Sequence, residues 1–169
     1  MISDEEEATA LYAEARDHHL DGCHDLARVG YLRAARLAAA SGALDVRADA
    51  LVGLVEIDRA TQRYEEALTR ADEAIALCKA FGKAARLASL LECRAYSLTQ
   101  TQRWLDARIA WRQAKEAMSA AGWRGWQVDL CDNRIAEATE HIHKAIRAER
   151  RAAGPDVSRR KLFGRHWMR

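Results

Sequence analysis

Histidine side chains are the most obvious metal ligands in this sequence, and their spacing does not suit a metal ion. His18 and His19 are neighbours with His24 close behind, and His141 and His143 lie two residues apart. Histidines that bind one metal ion from a helix stand at positions i and i+4, whereas positions i and i+2 point apart. We therefore predict solvated or packing histidines and no metal site.

Cysteine, glycine and carboxylate residues give no stronger indication of catalysis. The cysteines Cys23, Cys78, Cys93 and Cys131 form no Cys-x-x-Cys pair. We predict buried free thiols, although their even number would also allow two disulfides. No glycine-rich loop between a strand and a helix is available to hold a phosphate, and none of the many acid–base pairs stands out. We predict a protein without catalytic residues and without a cofactor.

Composition and charge narrow the class of protein. The 169 residues are 49% apolar and 31% charged and include one proline, which favours an all-helical chain. No apolar run approaches the roughly 18 residues of a membrane span, and the acidic N-terminus lacks an apolar secretion segment. We expect a cytoplasmic protein. Residues 144–169 carry a net charge of +7 and the other residues −5, so an acidic body bears a basic tail.

A period of 40 residues defines the elements that must position any binding residues. Three of four positions keep their residue type in three copies, which are Ala27, Tyr31, Ala34 and Gly42; Ala67, Ala71, Ala74 and Gly82; and Ala107, Trp111, Ala114 and Gly122. A fixed period of this size is typical of a repeat array. We predict an all-α solenoid of three helical hairpins, with repeats at about 3–42, 43–82 and 83–122.

Capping signals and apolar periodicity place seven helices, at about 3–20, 24–40, 44–60, 64–81, 84–100, 104–120 and 126–153. Ser3 and Glu6 stand at the spacing of a capping box. Gly42, Gly82 and Gly122 suit the left-handed position just past a helix end. The alanines at positions 27, 67 and 107 should face the first helix of their own hairpin, because small residues allow helices to approach closely.

The seventh helix carries a single apolar stripe. Its members recur at steps of three and four, and they are Val128, Cys131, Ile135, Ala138, Ile142 and Ala145. A solenoid needs a helix that covers its last open face, so we interpret residues 126–153 as a capping helix. The same spacing also fits heptads, which leaves a coiled-coil seam with a second copy, and hence a homodimer, as an alternative.

Three helix starts resemble the tetratricopeptide repeat (TPR). They are Tyr64-Glu65-Glu66-Ala67, Trp104-Leu105-Asp106-Ala107 and, more weakly, His24-Asp25-Leu26-Ala27, within a resemblance that covers roughly residues 8–122. The period of 40 exceeds the usual 34 of that family. This longer period and the glycines at the repeat ends are similar to the longer-helix TPRs of bacterial regulators. The resemblance implies a right-handed solenoid that binds partners rather than an enzyme.

The resemblance also implies a concave groove lined by the first helix of each hairpin. By position in the repeat, the groove would expose Tyr12, Arg16, His19, Val52, Glu56, Arg59, Glu92, Tyr96 and Thr99, followed by Asp132 from the seventh helix. TPR proteins that clamp a peptide's terminal carboxylate use lysine, asparagine and arginine at such positions. Arg16, Glu56 and Tyr96 replace the asparagine here, so we do not expect a carboxylate clamp.

Residues 154–169 form a basic and aromatic tail after the helix stop Gly154-Pro155. Its candidate contact residues are Arg159, Arg160, Lys161, Leu162, Phe163, Arg165 and Trp167. In a helix, Leu162, Phe163, His166 and Trp167 would share one face. The tail could be a solvated flexible end, a peptide that docks on a partner or in a TPR groove, or a contact for anionic lipid or nucleic acid.

Two functions follow as hypotheses. In the first, the chain is an adaptor that binds a protein or peptide in the groove and uses the tail as a second contact. In the second, it is a peripheral tether whose tail binds an anionic membrane or nucleic acid. A peptide-sensing regulator is a further possibility that the bacterial resemblance suggests.

Overall fold

Seven α-helices and no strand make up residues 3–153, the part of the chain that the computed structural model describes. They are α1 (Asp4–Leu20), α2 (His24–Ser41), α3 (Leu44–Ala60), α4 (Tyr64–Ala80), α5 (Ala84–Gln100), α6 (Trp104–Ala120) and α7 (Trp126–Ala152). The predicted all-α class is confirmed for these residues, and the helix ends lie within one residue of the predicted ends. Along the same stretch, no helix is both long enough and apolar enough to cross a bilayer.

The six connections between the seven helices share one backbone feature, a residue with positive φ at the same place in each turn. Such residues stand 20 positions apart and are Gly22, Gly42, Gln62, Gly82, Gln102 and Gly122. The left-handed conformation predicted for the three glycines at repeat ends is therefore confirmed. Gln62 and Gln102 adopt it without being glycine, with φ of 61° and 58°. A left-handed backbone costs a non-glycine residue about 1 kcal/mol, so the turn geometry recurs even where its residue type does not.

Two predictions of local chemistry have different outcomes. The capping box is confirmed, because Ser3 Oγ accepts a hydrogen bond from Glu6 N at 3.2 Å while Ser3 N donates to the Glu6 carboxylate at 2.9 Å. The prediction of buried thiols is wrong for Cys23, which lies exposed in the turn before α2. The other three cysteines are buried and free.

The helices pack in series, each one on the next, from α1 to α7. Across the hairpins, α1 also packs on α3 and α3 on α5, and no comparable packing joins α2 to α4 or α4 to α6 within residues 3–153. The first helices therefore form a continuous inner layer, and the second helices splay apart on the other side. This arrangement bends the array toward the first helices.

Small residues allow the close helix contacts of the core. Ala27, Ala67 and Ala107 are buried, as predicted for close-packing positions. At the α1–α2 contact, a Cβ added to Gly30 would lie 2.7 Å from the Cβ of Ala15, so the two backbones nearly touch. A different pair joins the first two hairpins, because a Cβ on Gly53 would clash with the ring of Tyr31. The bulk of Tyr31 thus occupies the space that a missing side chain on α3 leaves open.

Helix α7 covers the last hairpin with only part of its apolar stripe. Cys131 and Ala138 are buried, and Val128 and Ile135 pack on the buried residues of α5 and α6 around Trp111. From position 143 to the end of the helix every residue is exposed, including Ala145 of the predicted stripe. The apolar stripe of α7 therefore extends beyond the part of the helix that packs on the last hairpin.

A buried carboxylate links three helices of the first half. Asp58 on α3 is fully buried. Arg28 on α2 donates from Nε to its Oδ1 at 3.3 Å, and Arg70 on α4 donates from Nη1 to its Oδ2. The 40-residue repeat does not indicate this triad, because its charged residues are not repeated. Leu98 stands 40 residues after Asp58, and Leu68 stands 40 residues after Arg28.

Candidate functional site

Five of the predicted groove residues line one pocket between α1 and α3. These are Tyr12, Arg16, His19, Val52 and Glu56, around a space of about 430 Å³. They come together because residues three and four apart share a helix face, and α1 and α3 pack side by side. The surface that these residues form on α1, α3 and α5, together with Arg59, Glu92 and Tyr96, is called the first-helix groove below.

Tyr31 forms the floor of this pocket, although it was not among the predicted groove residues because it lies on a second helix of the repeat. Its ring centroid lies 5.7 Å from that of Tyr12 and 6.1 Å from that of His19. The residue is 2% exposed, and burial raises the pKa of its phenol to about 12. The pocket therefore offers an aromatic floor with a neutral hydroxyl group.

One side of the pocket is closed by charged residues that hold each other in place. Asp49 Oδ1 on α3 accepts a hydrogen bond from Lys83 Nζ at 2.8 Å and forms an ion pair with Arg86 Nε at 3.1 Å. Asp49 and Arg86 both line the pocket, and neither was among the predicted groove residues. Their signal in the sequence is weak, since an aspartate and an arginine 37 positions apart show their pairing only after α3 and α5 pack together.

The groove continues from α3 to α5 through a second group of predicted residues. The guanidinium of Arg59 lies over the ring of Tyr96, 5.5 Å from its centroid, and the Tyr64 ring lies 6.2 Å from that of Tyr96. Burial raises the pKa of Glu92, Arg59 partly offsets this effect, and the Glu56 charge adds to it. These interactions join four side chains into one cluster, namely Arg59, Glu92, Glu56 and Tyr96.

Hydrogen bonding in this group is incomplete among residues 3–153. Arg59 Nε is shielded from solvent and has no hydrogen-bond partner there. Glu56 receives one long hydrogen bond, from Ser89 Oγ at 3.4 Å. A further hydrogen-bond partner would stabilise these charged groups, because a buried polar atom without a hydrogen bond destabilises the folded protein.

Three of the predicted residues are placed differently from the expectation. Thr99 is buried, donates to a backbone carbonyl one turn earlier and accepts from Trp111 Nε1 at 3.0 Å, so it is a structural residue and not an exposed one. Val52 lines the pocket but is only 3% exposed, so it contributes a wall and not a projecting contact. Asp132 binds Lys115 Nζ of α6 at 2.6 Å and lines neither part of the groove.

Three histidines of the described residues, His19, His24 and His141, pack on aromatic rings. His141 stacks on Trp104 with ring centroids 3.8 Å apart and planes 3° from parallel, and His19 meets the edge of Tyr31. No group of three or more His, Cys, Asp and Glu residues in the described part of the chain is arranged to hold a metal ion. The predicted tail contacts, from Arg159 to Trp167, lie outside the described residues.

A larger cleft of about 630 Å³ opens on the other side, between α4 and α6, where the second helices splay apart. Several of its charged side chains already have partners. Arg94 Nε binds Asp72 at 3.1 Å, and Asp106 binds Arg103 at 2.9 Å. The first-helix groove is the better candidate site in spite of its smaller volume, because its aromatic floor and the weakly hydrogen-bonded Glu56 carboxylate line the same space.

Comparison with protein-family models, with curated proteins and with solved structures finds no match to this chain.

Proposed function

We propose that this chain is an adaptor without catalytic activity, a TPR-like right-handed solenoid that binds a peptide or helix of a partner protein in the first-helix groove. The observation that carries the proposal is the α1–α3 pocket, where an aromatic floor and the charges of Arg16 and Glu56 meet. A concave surface with aromatic anchors and a few charged groups suits a short protein segment, since aromatic and arginine side chains dominate binding energy at interfaces.

Differences between the repeats support this assignment. The position held by Arg16 on α1 is held by Glu56 on α3 and by Tyr96 on α5. Packing alone would favour similar residues at equivalent positions, as it does for the buried alanines. A groove that changes from cationic to anionic to aromatic along its length can distinguish both the sequence and the direction of a bound segment.

The charge order predicts what a bound peptide looks like. Neighbouring helices lie about 8–10 Å apart, and an extended chain advances about 3.3 Å per residue. A peptide that crosses from α1 to α3 should therefore present an acidic residue to Arg16 and a basic residue to Glu56 about three positions apart. An aromatic or aliphatic residue next to this pair would contact Tyr31 or Tyr96.

A displayed library of short random peptides, selected on the full chain, tests the proposal. Binding of the selected peptides is then measured by fluorescence anisotropy with Arg16→Ala and Tyr96→Ala. We expect each variant to weaken binding by about tenfold or more, the loss typical of an interface anchor.

Two matched variants control for general effects on the fold. Arg36→Ala removes an exposed arginine from α2, and Trp126→Ala removes an aromatic side chain that is 71% exposed on α7. Both should leave the affinity within about twofold, since surface changes away from a site have small effects. Peptides that respond equally to groove variants and controls would contradict the proposal. The same four proteins can serve as baits for partners from cell extract.

A further inference from the structure

A second apolar surface lies between the start of α6 and the last turns of α7. It encloses about 520 Å³ and is called the α6–α7 groove; its lining residues are Gln102, Arg103, Trp104, Leu105, Asp106, Ile142, Ala145, Ile146 and Glu149. Leu105 is 60% exposed and Ile146 is 41% exposed. Exposed aliphatic side chains in one concave patch indicate a surface that another segment covers.

The groove exists because α7 is longer than its neighbours. Helix α7 has 27 residues and α6 has 17. The stacked rings of Trp104 and His141 show that α6 begins level with position 141 of α7. The remaining turns of α7, to Ala152, advance about 1.5 Å per residue and so extend about 16 Å past the start of α6. One wall of the groove is therefore a helix face that no described residue covers.

We propose that residues 156–169 of the same chain fold back onto the α6–α7 groove. Sixteen residues follow Ala153, and Gly154-Pro155 stands directly after α7. Proline cannot continue a helix, and this dipeptide favours a turn. Eight or nine further residues, at up to about 3.3 Å each, reach well beyond the distance back to Ile146.

The chain's own hairpins supply the register. Where two of its helices run antiparallel, residues about equally far from the connecting turn meet. Cys131 contacts Met118 across the α6–α7 connection, and Ala15 touches Gly30 across the first turn. Applied to a turn at Gly154-Pro155, the same rule places Phe163 at Ile146, Trp167 at Ile142 and Arg160 at Glu149.

The side chains of the two surfaces match in this register. Phe163 and Trp167 belong to the apolar face that the tail would have as a helix, and Ile142 and Ile146 are the large aliphatic side chains that α7 contributes to the groove. Within the groove lining, Asp106 is already paired with Arg103, whereas Glu149 lies at the edge where Arg160 would arrive. The end of α7 also carries Lys144, Arg147, Arg150 and Arg151, so the apolar contact must outweigh repulsion between like charges.

Disulfide trapping in the full chain tests this docking, in a Cys23→Ser background because Cys23 is exposed and would compete. The test pair is Ile146→Cys with Phe163→Cys. The control pair is Ala148→Cys with Phe163→Cys, since position 148 is exposed at nearly the same height but on the other side of α7.

Under mild oxidation we expect the test pair to form an intramolecular disulfide at least about tenfold faster than the control pair. Equal rates would overturn the proposal and indicate a tail without a fixed contact. A cross-link between two molecules would also overturn it, because the occupant would then be a second copy. Faster trapping of Glu56→Cys with Phe163→Cys would place the tail in the first-helix groove instead.

Hydrogen exchange gives an independent readout without cysteines. Phe163→Ser with Trp167→Ser should accelerate amide exchange in the α7 segment from Ile142 to Glu149, because the cover is lost. Lys161→Ser with Arg165→Ser changes the opposite face of the tail and should leave exchange unchanged. An equal effect of both double variants, or no effect of the first, would contradict the proposed contact.

Discussion

Replacement of Asp58 by asparagine probes the contact among α2, α3 and α4. The substitution keeps the size of the side chain and removes its charge. Asp58 is fully buried, whereas the side chains of Arg28 and Arg70 that bind it are 25% and 22% exposed. The change therefore leaves two guanidinium groups without their anion at a site that water reaches only in part.

The expected cost follows from this difference in burial. Removing one partner of a buried ion pair costs about 3–5 kcal/mol when the remaining charge stays buried. Here both guanidinium groups can turn toward solvent and recover part of their hydration. Asparagine can still accept a hydrogen bond through its amide oxygen. We therefore expect Asp58→Asn to lower the free energy of unfolding by about 2–3 kcal/mol.

Urea unfolding followed by circular dichroism measures this loss. Asp72→Asn is the matched control, because the Asp72 carboxylate also binds an arginine, Arg94 at 3.1 Å, but is 71% exposed. An exposed pair contributes about 0.2–1 kcal/mol. If Asp58→Asn costs no more than Asp72→Asn, the argument that burial makes the Asp58 triad important is refuted.

A triple variant separates two contributions to the free energy of unfolding, that of the three charges and that of the volume that their side chains fill. Asp58→Leu, Arg28→Leu and Arg70→Ala install the residues found 40 positions later, namely Leu98, Leu68 and Ala110. Apolar replacement of a complete buried ion cluster is often neutral or stabilising. We expect the triple variant to recover the stability that Asp58→Asn loses, to within about 1 kcal/mol of the wild-type chain.

Three further predictions concern Gly53, the cysteines and Glu92. Gly53→Ala should lower the free energy of unfolding by about 1 kcal/mol, because the clash with Tyr31 outweighs the better helix propensity of alanine. Thermal unfolding measures this change. A variant more stable than the wild-type chain would contradict the tight contact. Iodoacetamide at pH 8 should label exposed Cys23 well before Cys93, since burial raises the pKa of the Cys93 thiol to about 12. Peptide mass spectrometry shows which cysteine is labelled first. Burial raises the pKa of Glu92, so its contribution to stability is present at low pH and is lost as the pH rises through that pKa. Glu92→Gln should therefore gain stability relative to the wild-type chain at pH 7 and lose this advantage near pH 4, as paired urea titrations would show.

Features with a local cause could be predicted from the sequence. The capping box at Ser3, the helix ends and the left-handed glycines depend on residues a few positions apart, whose effects do not need the rest of the chain. The buried alanines follow from a period that only a packed array explains. The same logic placed Tyr12, Arg16 and Glu56 on one surface, because equivalent positions of stacked repeats face the same way.

Features that depend on unlike repeats could not be predicted in this way. Thr99 occupies a groove position by its place in the repeat, yet the neighbouring Trp111 takes its hydroxyl as a hydrogen-bond acceptor inside the core. Glutamine at 62 adopts a backbone typical of glycine because the helices on both sides require that turn. In each case a neighbour distant in sequence decides the environment of the residue.

By itself, the sequence determined the number, length and order of the helices in residues 3–153 and the positions of the buried alanines. Those properties arise from short-range hydrogen bonding and from a helical period that recurs every 40 residues. Only the tertiary structure decided which unlike side chains meet, such as Tyr31 with Gly53 and Asp58 with Arg28 and Arg70. The physical reason is that these contacts join helices whose side chains differ from one copy of the repeat to the next, so they form only when the helices are packed together.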